Sequence, residues 1–256
     1  MDTAQTAFAG TAVGVLIGAT GVGAGSIMTP LLVGVFGASL PVAVGTDLWF
    51  ASVTKLSGAV AHWRHGHVQT ALVLRLLAGS IPAALLTVVV MHTTGIGNTF
   101  TAPLSVALGI GLLLTAFAIL GQRRWQHLAE RLETRVEAIR HPSWTVLLGA
   151  ALGVMVTLSS IGAGAVGMTV LVLLHPRLAG RRLIGSDIAH AVPLTFVAGL
   201  GHAALGHVDW HLLGGLLLGS VPGIWLGSSL TRVLPERATR ALLSVVLIVA
   251  GLRFIA

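Results

Sequence analysis

The chain has no cysteine, so disulfides, thiolate metal sites and cysteine nucleophiles are excluded, and cysteine usage says nothing about a redox compartment. Charge is nearly as scarce. Only 9% of the 256 residues are Asp, Glu, Lys or Arg, whereas 55% are hydrophobic. From Leu76 to Gln122 there is none of the four charged types. That stretch suffices for two helical passes through a hydrocarbon layer about 30 Å thick at about 1.5 Å per residue. A soluble core would not absorb so much apolar surface, and a mean hydropathy of +0.93 places the chain among all-α polytopic membrane proteins. The 33 glycines suit this class, because small residues let membrane helices approach closely.

Other absences narrow the function. Gly18–Ser26 (GATGVGAGS) has no Lys after its glycines and does not read G-x-G-x-x-G, so it is no P-loop and gives ATP-driven transport no support. No Ser/His/Asp or paired-carboxylate arrangement stands out as catalytic, and neither enzymatic activity nor a cofactor is expected. His62, His65 and His67 cluster in His-Trp-Arg-His-Gly-His at an expected turn without a carboxylate among them; no metal site is expected there. The net charge of +7 is spread as arginines in short loops between apolar runs. It reads as an orientation signal rather than as a nucleic-acid surface. Ahead of the first apolar run stand Asp2 and no Lys or Arg, so the basic n-region of a cleaved signal peptide is missing and insertion through the first apolar segment is expected.

What is present is an internal repeat at a shift of about 140 residues. Gly14–Gly25 (GVLIGATGVGAG) answers Gly153–Gly164 (GVMVTLSSIGAG), and Gly45-Thr46-Asp47 answers Gly185-Ser186-Asp187. His62 answers His202, Gly66-His67-Val68 answers Gly206-His207-Val208, and Gly79-Ser80-Ile81-Pro82 answers Gly219-Ser220-Val221-Pro222. Each half holds a glycine-broken apolar stretch (7–36 and 144–174) followed by three plain segments, 42–62, 70–91 and 101–120, then 184–204, 211–230 and 239–255. The halves are an N-terminal repeat, 1–120, and a C-terminal repeat, 144–256, joined by the polar connection 121–143. Leu128, Leu132, Val136 and Ile139 recur there at helical spacing, predicting a short amphipathic helix at the membrane surface.

Arginine placement sets the topology. If each broken stretch crossed fully, Arg177, Arg181, Arg182, Arg232, Arg237 and Arg240 would lie opposite the Arg123–Arg140 connection, splitting the positive charge between the two sides. If each stretch dips in and returns as a re-entrant hairpin, Arg64, the connection and the 175–183 and 231–240 loops share one side, the cytoplasmic one, and only Arg253 is left outside. The second half then starts from the opposite face, giving inverted repeats, each a re-entrant pair plus three transmembrane helices. Inverted repeats with interrupted helices point to a secondary transporter whose site lies near mid-membrane where the breaks meet.

The first break is Gly21, Gly23 and Gly25 with Ser26, followed by Thr29 and Pro30; the second is Ser159, Ser160, Gly162 and Gly164. Freed backbone at membrane depth must line a buried cavity or water, and the N-terminus of a new half-helix is a natural anion seat. The glycines also serve tight helix crossing. Lys55 lies too deep in its segment to snorkel easily and is the leading candidate for the functional cation, holding an anion or pairing with Asp47 or Asp187. Asp47 and Asp187 occupy matching positions with Thr46 and Ser186 beside them, as helix caps or proton relays. His190 follows Asp187 by three residues on one helix face, fit for proton coupling or for hydrogen-bonded packing. Arg75 reads as a headgroup anchor.

The Gly21–Gly25 break with Pro30, Gly45-Thr46, Ser57-Gly58-Ala59 running into His62-Trp63-Arg64, and Gly66-His67-Val68 resemble the sulfite exporter TauE/SafE family of membrane transporters. The second half carries the same resemblance in Gly162-Ala163-Gly164, Gly185-Ser186, Gly201-His202 and Gly206-His207-Val208-Asp209, so it covers nearly the whole chain. Thr46-Asp47-Leu48 with Thr54-Lys55, together with Asp187 and His190, resembles one subgroup. Where the family commonly has a proline after both breaks, this chain has Pro30 but Thr169. The resemblance implies a multi-pass protein of the bacterial plasma membrane that moves sulfite or an organosulfonate, often outward. Substrate-binding residues are then expected among the two breaks, Lys55, Thr46, Asp47, Ser186, Asp187 and His190. The expected partners are the small anion and the lipid bilayer, and glycine-rich faces would also permit a homodimer. An anion channel, or a membrane-embedded enzyme or assembly subunit, is the competing reading.

Overall fold

The structure, a computed structural model, describes residues 3–20, 25–97, 101–132, 142–230 and 236–255. Among these residues it is all helical, with ten helices: α1 (Thr3–Thr20), α2 (Gly25–Gly34), α3 (Leu40–Arg64), α4 (Thr70–Thr94), α5 (Ala102–Leu132), α6 (Pro142–Ser159), α7 (Ala165–Leu174), α8 (Gly180–Ala204), α9 (Trp210–Leu230) and α10 (Glu236–Ile255). By length and composition, α4, α6, α8 and the apolar parts of α5 and α9 suffice to cross a membrane. Large apolar side chains such as Phe8, Leu86, Leu218 and Trp225 face outward, which only a lipid surrounding makes favourable. The protein is therefore a multi-pass helical membrane protein.

Both broken stretches divide into a long and a short helix. In the second, α6 has 18 residues and α7 has 10, so α7 is about 15 Å long, half the hydrocarbon thickness. Thr145 Oγ1 near the start of α6 meets His175 Nε2, just past α7, at 2.9 Å. The chain thus enters by α6 and doubles back through α7. In the first stretch α1 ends at Thr20 and α2 begins at Gly25; the break itself, with Gly21 and Gly23, lies outside the described residues.

The turn after α3 and the turn after α8 are built alike. Gly66 (φ 68°) and Gly206 (φ 76°) take the left-handed conformation, and His67 N–H donates to His62 O as His207 N–H does to His202 O, both at 2.9 Å. This six-to-one closure needs a residue without Cβ at the turn, which explains why Gly-His-Val recurs in both halves.

Packing between the halves is reciprocal. Helix α1 packs along α9 and α6 along α4, while α3 pairs with α8 and α5 with α10. A Cβ on Gly79 would strike the Val146 carbonyl and one on Gly219 the Ala7 carbonyl, while Gly149 and Gly153 sit on the carbonyls of Leu76 and Ser80 as Gly10 and Gly14 sit on those of Leu216 and Ser220. Such backbone contact is available only to glycine and supplies the dispersion that membrane helices rely on. These glycine faces are consumed within the chain, leaving other faces for any second copy.

Helices α3 and α8 run antiparallel, since Trp49 Nε1 donates to Gly199 O at 3.0 Å while Gly58 lies against Ile188. Two matched bonds pin their ends: Asp209 N–H to Thr46 Oγ1 at 3.0 Å and Gln69 N–H to Ser186 Oγ at 2.9 Å.

Helix α5 continues unbroken past the third plain segment, through Gly121 to Leu132. Gly121 alone does not stop a helix flanked by Gln122, Arg123 and Arg124, all good helix formers, and Trp125 reaches back to Phe117 across it with ring centres 5.3 Å apart. Val136 and Ile139 lie outside the described residues.

Gly79→Ala and Gly219→Ala should each destabilise the protein by about 1–3 kcal/mol through overpacking, read as unfolding in detergent. Gly34→Ala, which meets nothing within 4 Å, should change stability by less than about 0.5 kcal/mol. Equal stability of all three would contradict the close glycine packing.

Candidate functional site

The second break runs over Ser160, Ile161, Gly162, Ala163 and Gly164, between α6 and α7. Ser160 has φ 58°, Gly162 φ 126° and Gly164 φ 138°; only glycine adopts the last two without strain, and Ser160 in this region is costly. Freed backbone groups there find partners. Ser160 N–H returns to Val156 O at 2.8 Å and Gly167 N–H to Gly162 O at 2.9 Å, while Ile161 N–H meets Ser159 Oγ at 3.3 Å. The Ala163 carbonyl accepts from Lys55 Nζ at 3.0 Å. A lysine from the first repeat thus satisfies the broken backbone of the second.

Lys55 also lies in the field of two carboxylates, that of Asp187 being stronger than that of Asp47. Asp47 is fully buried; its Oδ2 accepts from Thr29 Oγ1 at 2.6 Å, and Ser160 stands beside the same carboxyl group. Asp187 is 5% exposed, and its Oδ1 is buried without a hydrogen-bond partner. That oxygen lies over Gly167 in the first turn of α7, where an added Cβ would come within 3.0 Å of it. The positive end of a helix favours an anion at such a place.

These groups border a cavity of about 540 Å³. Thr54, Lys55 and Gly58 of α3, Gly164, Ala165 and Met168 at the start of α7, and Asp187 and Ile188 of α8 form one part of its wall. Ile17, Ile224, Gln122, Trp125 and Arg240 complete much of the rest. The cavity lies at the end of the bundle where α5 runs out and where α8 and α10 begin. Most of the wall is apolar, and the polar groups converge on Lys55, as in small-molecule sites generally.

The wall positions and their repeat mates differ in surroundings. Thr54, Lys55, Gly58, Asp187 and Ile188 border the cavity, whereas their mates Leu194, Thr195, Ala198, Asp47 and Leu48 lie outside its wall and are 0–1% exposed. The level of Lys55 and Asp187 borders open space, and the level of their mates is packed shut.

Of the residues singled out from sequence, Lys55, Asp187 and Gly164 meet at the cavity, with Asp47 and Ser160 behind them. Ser159 and Gly162 are buried in the break, Ser159 Oγ donating to Met155 O at 2.7 Å. Gly25 and Ser26 open α2, with Ser26 buried. Thr46 and Ser186 are buried and spend their hydroxyls on the two inter-helix bonds described above, Ser186 also donating to Arg182 O at 2.7 Å. His190 meets Ser80 Oγ through Nε2 at 2.9 Å, on the α4–α8 contact. Gln122 and Trp125 were not singled out, and Thr29, Thr54 and Arg240 were named only as a helix start, a family likeness and an orientation charge. Their convergence depends on α2, α5 and α10 packing against α3, α7 and α8, for which no local pattern exists.

The profile of the family described as Sulfite exporter TauE/SafE matches residues 6–254. The chain belongs to this family of membrane transporters. The Bacillus subtilis (strain 168) protein named "Probable membrane transporter protein YjnA" is 36% identical over 253 residues, covering 95% of this chain and 96% of that one. A second from the same organism, "Probable membrane transporter protein YdhB", is 28% identical over 247 residues, covering 93% and 94% of the two chains. No solved structure matches. Family and relatives alike are described as transporters, not as enzymes.

Thr29→Val should cost about 1–3 kcal/mol by leaving Asp47 Oδ2 buried without its donor, whereas Thr29→Ser should keep most of the stability. Unfolding in detergent measures both, and an unchanged Thr29→Val variant would contradict the bond.

Proposed function

We propose that the protein is a secondary carrier that binds a small sulfur-containing anion, sulfite or an organosulfonate, in the cavity beside Lys55 and moves it outward by alternating access. The observation that carries the reading is Lys55 at the cavity wall together with the start of α7. An ammonium donor and a helix N-terminus face one space, and both favour an anion. Gly164, Ala165 and Thr54 border the same space and complete the seat we assign. At about 540 Å³ the cavity exceeds what bare sulfite fills, and its apolar wall suits an organic group on the sulfur.

Inverted repeats supply the movement. The reciprocal contacts of α1 with α9 and α6 with α4, and the antiparallel run of the equivalent helices α3 and α8, support a two-fold relation between the halves. An axis relating two antiparallel spanning helices lies in the membrane plane, which is the arrangement of alternating-access carriers. The open space beside Lys55 and Asp187 and the closed level of their mates support a state facing one side, and Arg240 in the wall favours the cytoplasm for that side. In the opposite state the roles of the halves exchange. Asp47 then occupies the place of Asp187, while Thr195 stands where Lys55 does. The two faces therefore differ in charge.

In proteoliposomes, Lys55→Met should lower saturable sulfite or sulfonate flux by roughly 10- to 100-fold, the loss of one charge-assisted bond of about 1.5–3 kcal/mol, in a variant that still elutes as folded protein. Undiminished flux would remove Lys55 from the site.

A further inference from the structure

Resting on the carrier reading above, we propose that Asp187 is a proton carrier, so that each anion crosses in the same direction as one proton bound to this carboxyl. Two buried carboxylates, Asp47 at 0% and Asp187 at 5% exposed, share one lysine, which each of them feels. The N-terminus of α7 adds only about half a positive charge. An anion arriving beside Lys55 would leave three negative groups against this lysine and the helix end, while Arg240, elsewhere in the cavity wall, has an interaction of its own. At membrane depth such an excess is too costly to keep. Protonating one carboxylate removes most of it and frees Lys55 for the anion.

Geometry selects Asp187 for that role. Asp47 is sealed from the cavity, with Thr29 donating to it at 2.6 Å. Both carboxyl groups carry a buried oxygen with no hydrogen-bond partner, which an added proton would not displace from any bond, but only Asp187 borders the cavity through which that proton arrives. The proton comes from water on the open side, forms an O–H on the carboxyl group and returns to water after the switch; nothing is oxidised or reduced.

Other ionisable groups surround Asp187. Lys55 faces it from α3, Arg240 of α10 lines the same cavity, and His190 follows one turn along α8; Asp47 lies eight residues before Lys55 on α3, outside the wall. His67, in the turn after α3, packs on Gly185. Arg240 keeps its charge through the neutral range, His190 is engaged with Ser80, and His67 lies outside the wall.

The test uses the full chain in proteoliposomes with an internal pH dye. Methanesulfonate, which stays ionised throughout the neutral range, and sulfite are the probes. One proton should accompany each methanesulfonate, and its Kd should fall about tenfold per pH unit of acidification, as linkage of one proton to one anion requires. Asp187→Asn should bind methanesulfonate with a pH-independent Kd and move no protons, Asp187→Glu should restore the slope, and His67→Gln should retain it. Saturable anion flux without proton movement, flux that follows sodium instead, or an Asp187→Asn variant that keeps the slope would overturn the coupling and leave the carrier standing. Absence of saturable flux of both anions in the wild-type protein would overturn the carrier reading and the coupling with it. If Asp187→Asn fails to fold, the wild-type stoichiometry and the Asp187→Glu profile decide.

Discussion

A backbone polar group cannot be left unpaired inside a membrane, and the rest of this structure follows from how the break after α6 meets that constraint. Several freed groups of the break have been given partners, and the carbonyl of Ala163 receives its own from Lys55 at 3.0 Å, a side chain of the other half. That bond gives a deep lysine a structural reason to exist. It also brings the ammonium to the rim of a cavity, where its remaining donor capacity is available to a ligand. A structural cation and a binding cation are therefore not competing descriptions of Lys55. The same contact holds the break and prepares the seat.

Helix packing delivers the parts to one place. Glycines on α1, α4, α6 and α9 let backbones touch, so the broken helices are clamped by unbroken ones from the opposite half. Between these clamps, α3 and α8 meet back to back, pinned by the hydroxyls of Thr46 and Ser186. Polar residues in the two central helices thereby divide into two classes. Some tie helices together, and some remain on the cavity wall. The repeat supplies both classes twice, but Lys55 is matched by Thr195 and His190 by Phe50, so the two halves do not carry equivalent polar groups.

Much of this was legible in the sequence. Apolar runs set the helices, and the glycine clusters marked the second break where φ angles of 126° and 138° at Gly162 and Gly164 demand glycine. Lys55 stood out because a charge deep in an apolar segment needs a reason. Thr46 and Ser186 looked like site residues because they precede buried aspartates; the loop amides that consume their hydroxyls come from distant chain segments. The continuation of α5 past Gly121 was hidden because the change to polar composition resembles an element boundary although helix propensity does not drop. Gln122, Trp125 and Arg240 join the cavity only through tertiary packing, which no periodicity encodes.

The central claim is that an anion is held beside Lys55, and a selenium analogue locates it most directly. Selenite carries the charge and shape of sulfite and gives an anomalous diffraction signal, so crystals of the protein soaked in it reveal the occupied site without reference to transport. The account predicts a selenium peak in the cavity within hydrogen-bond reach of Lys55 Nζ, near the first turn of α7. A selenium peak elsewhere in the bundle, with the space beside Lys55 empty, would contradict it.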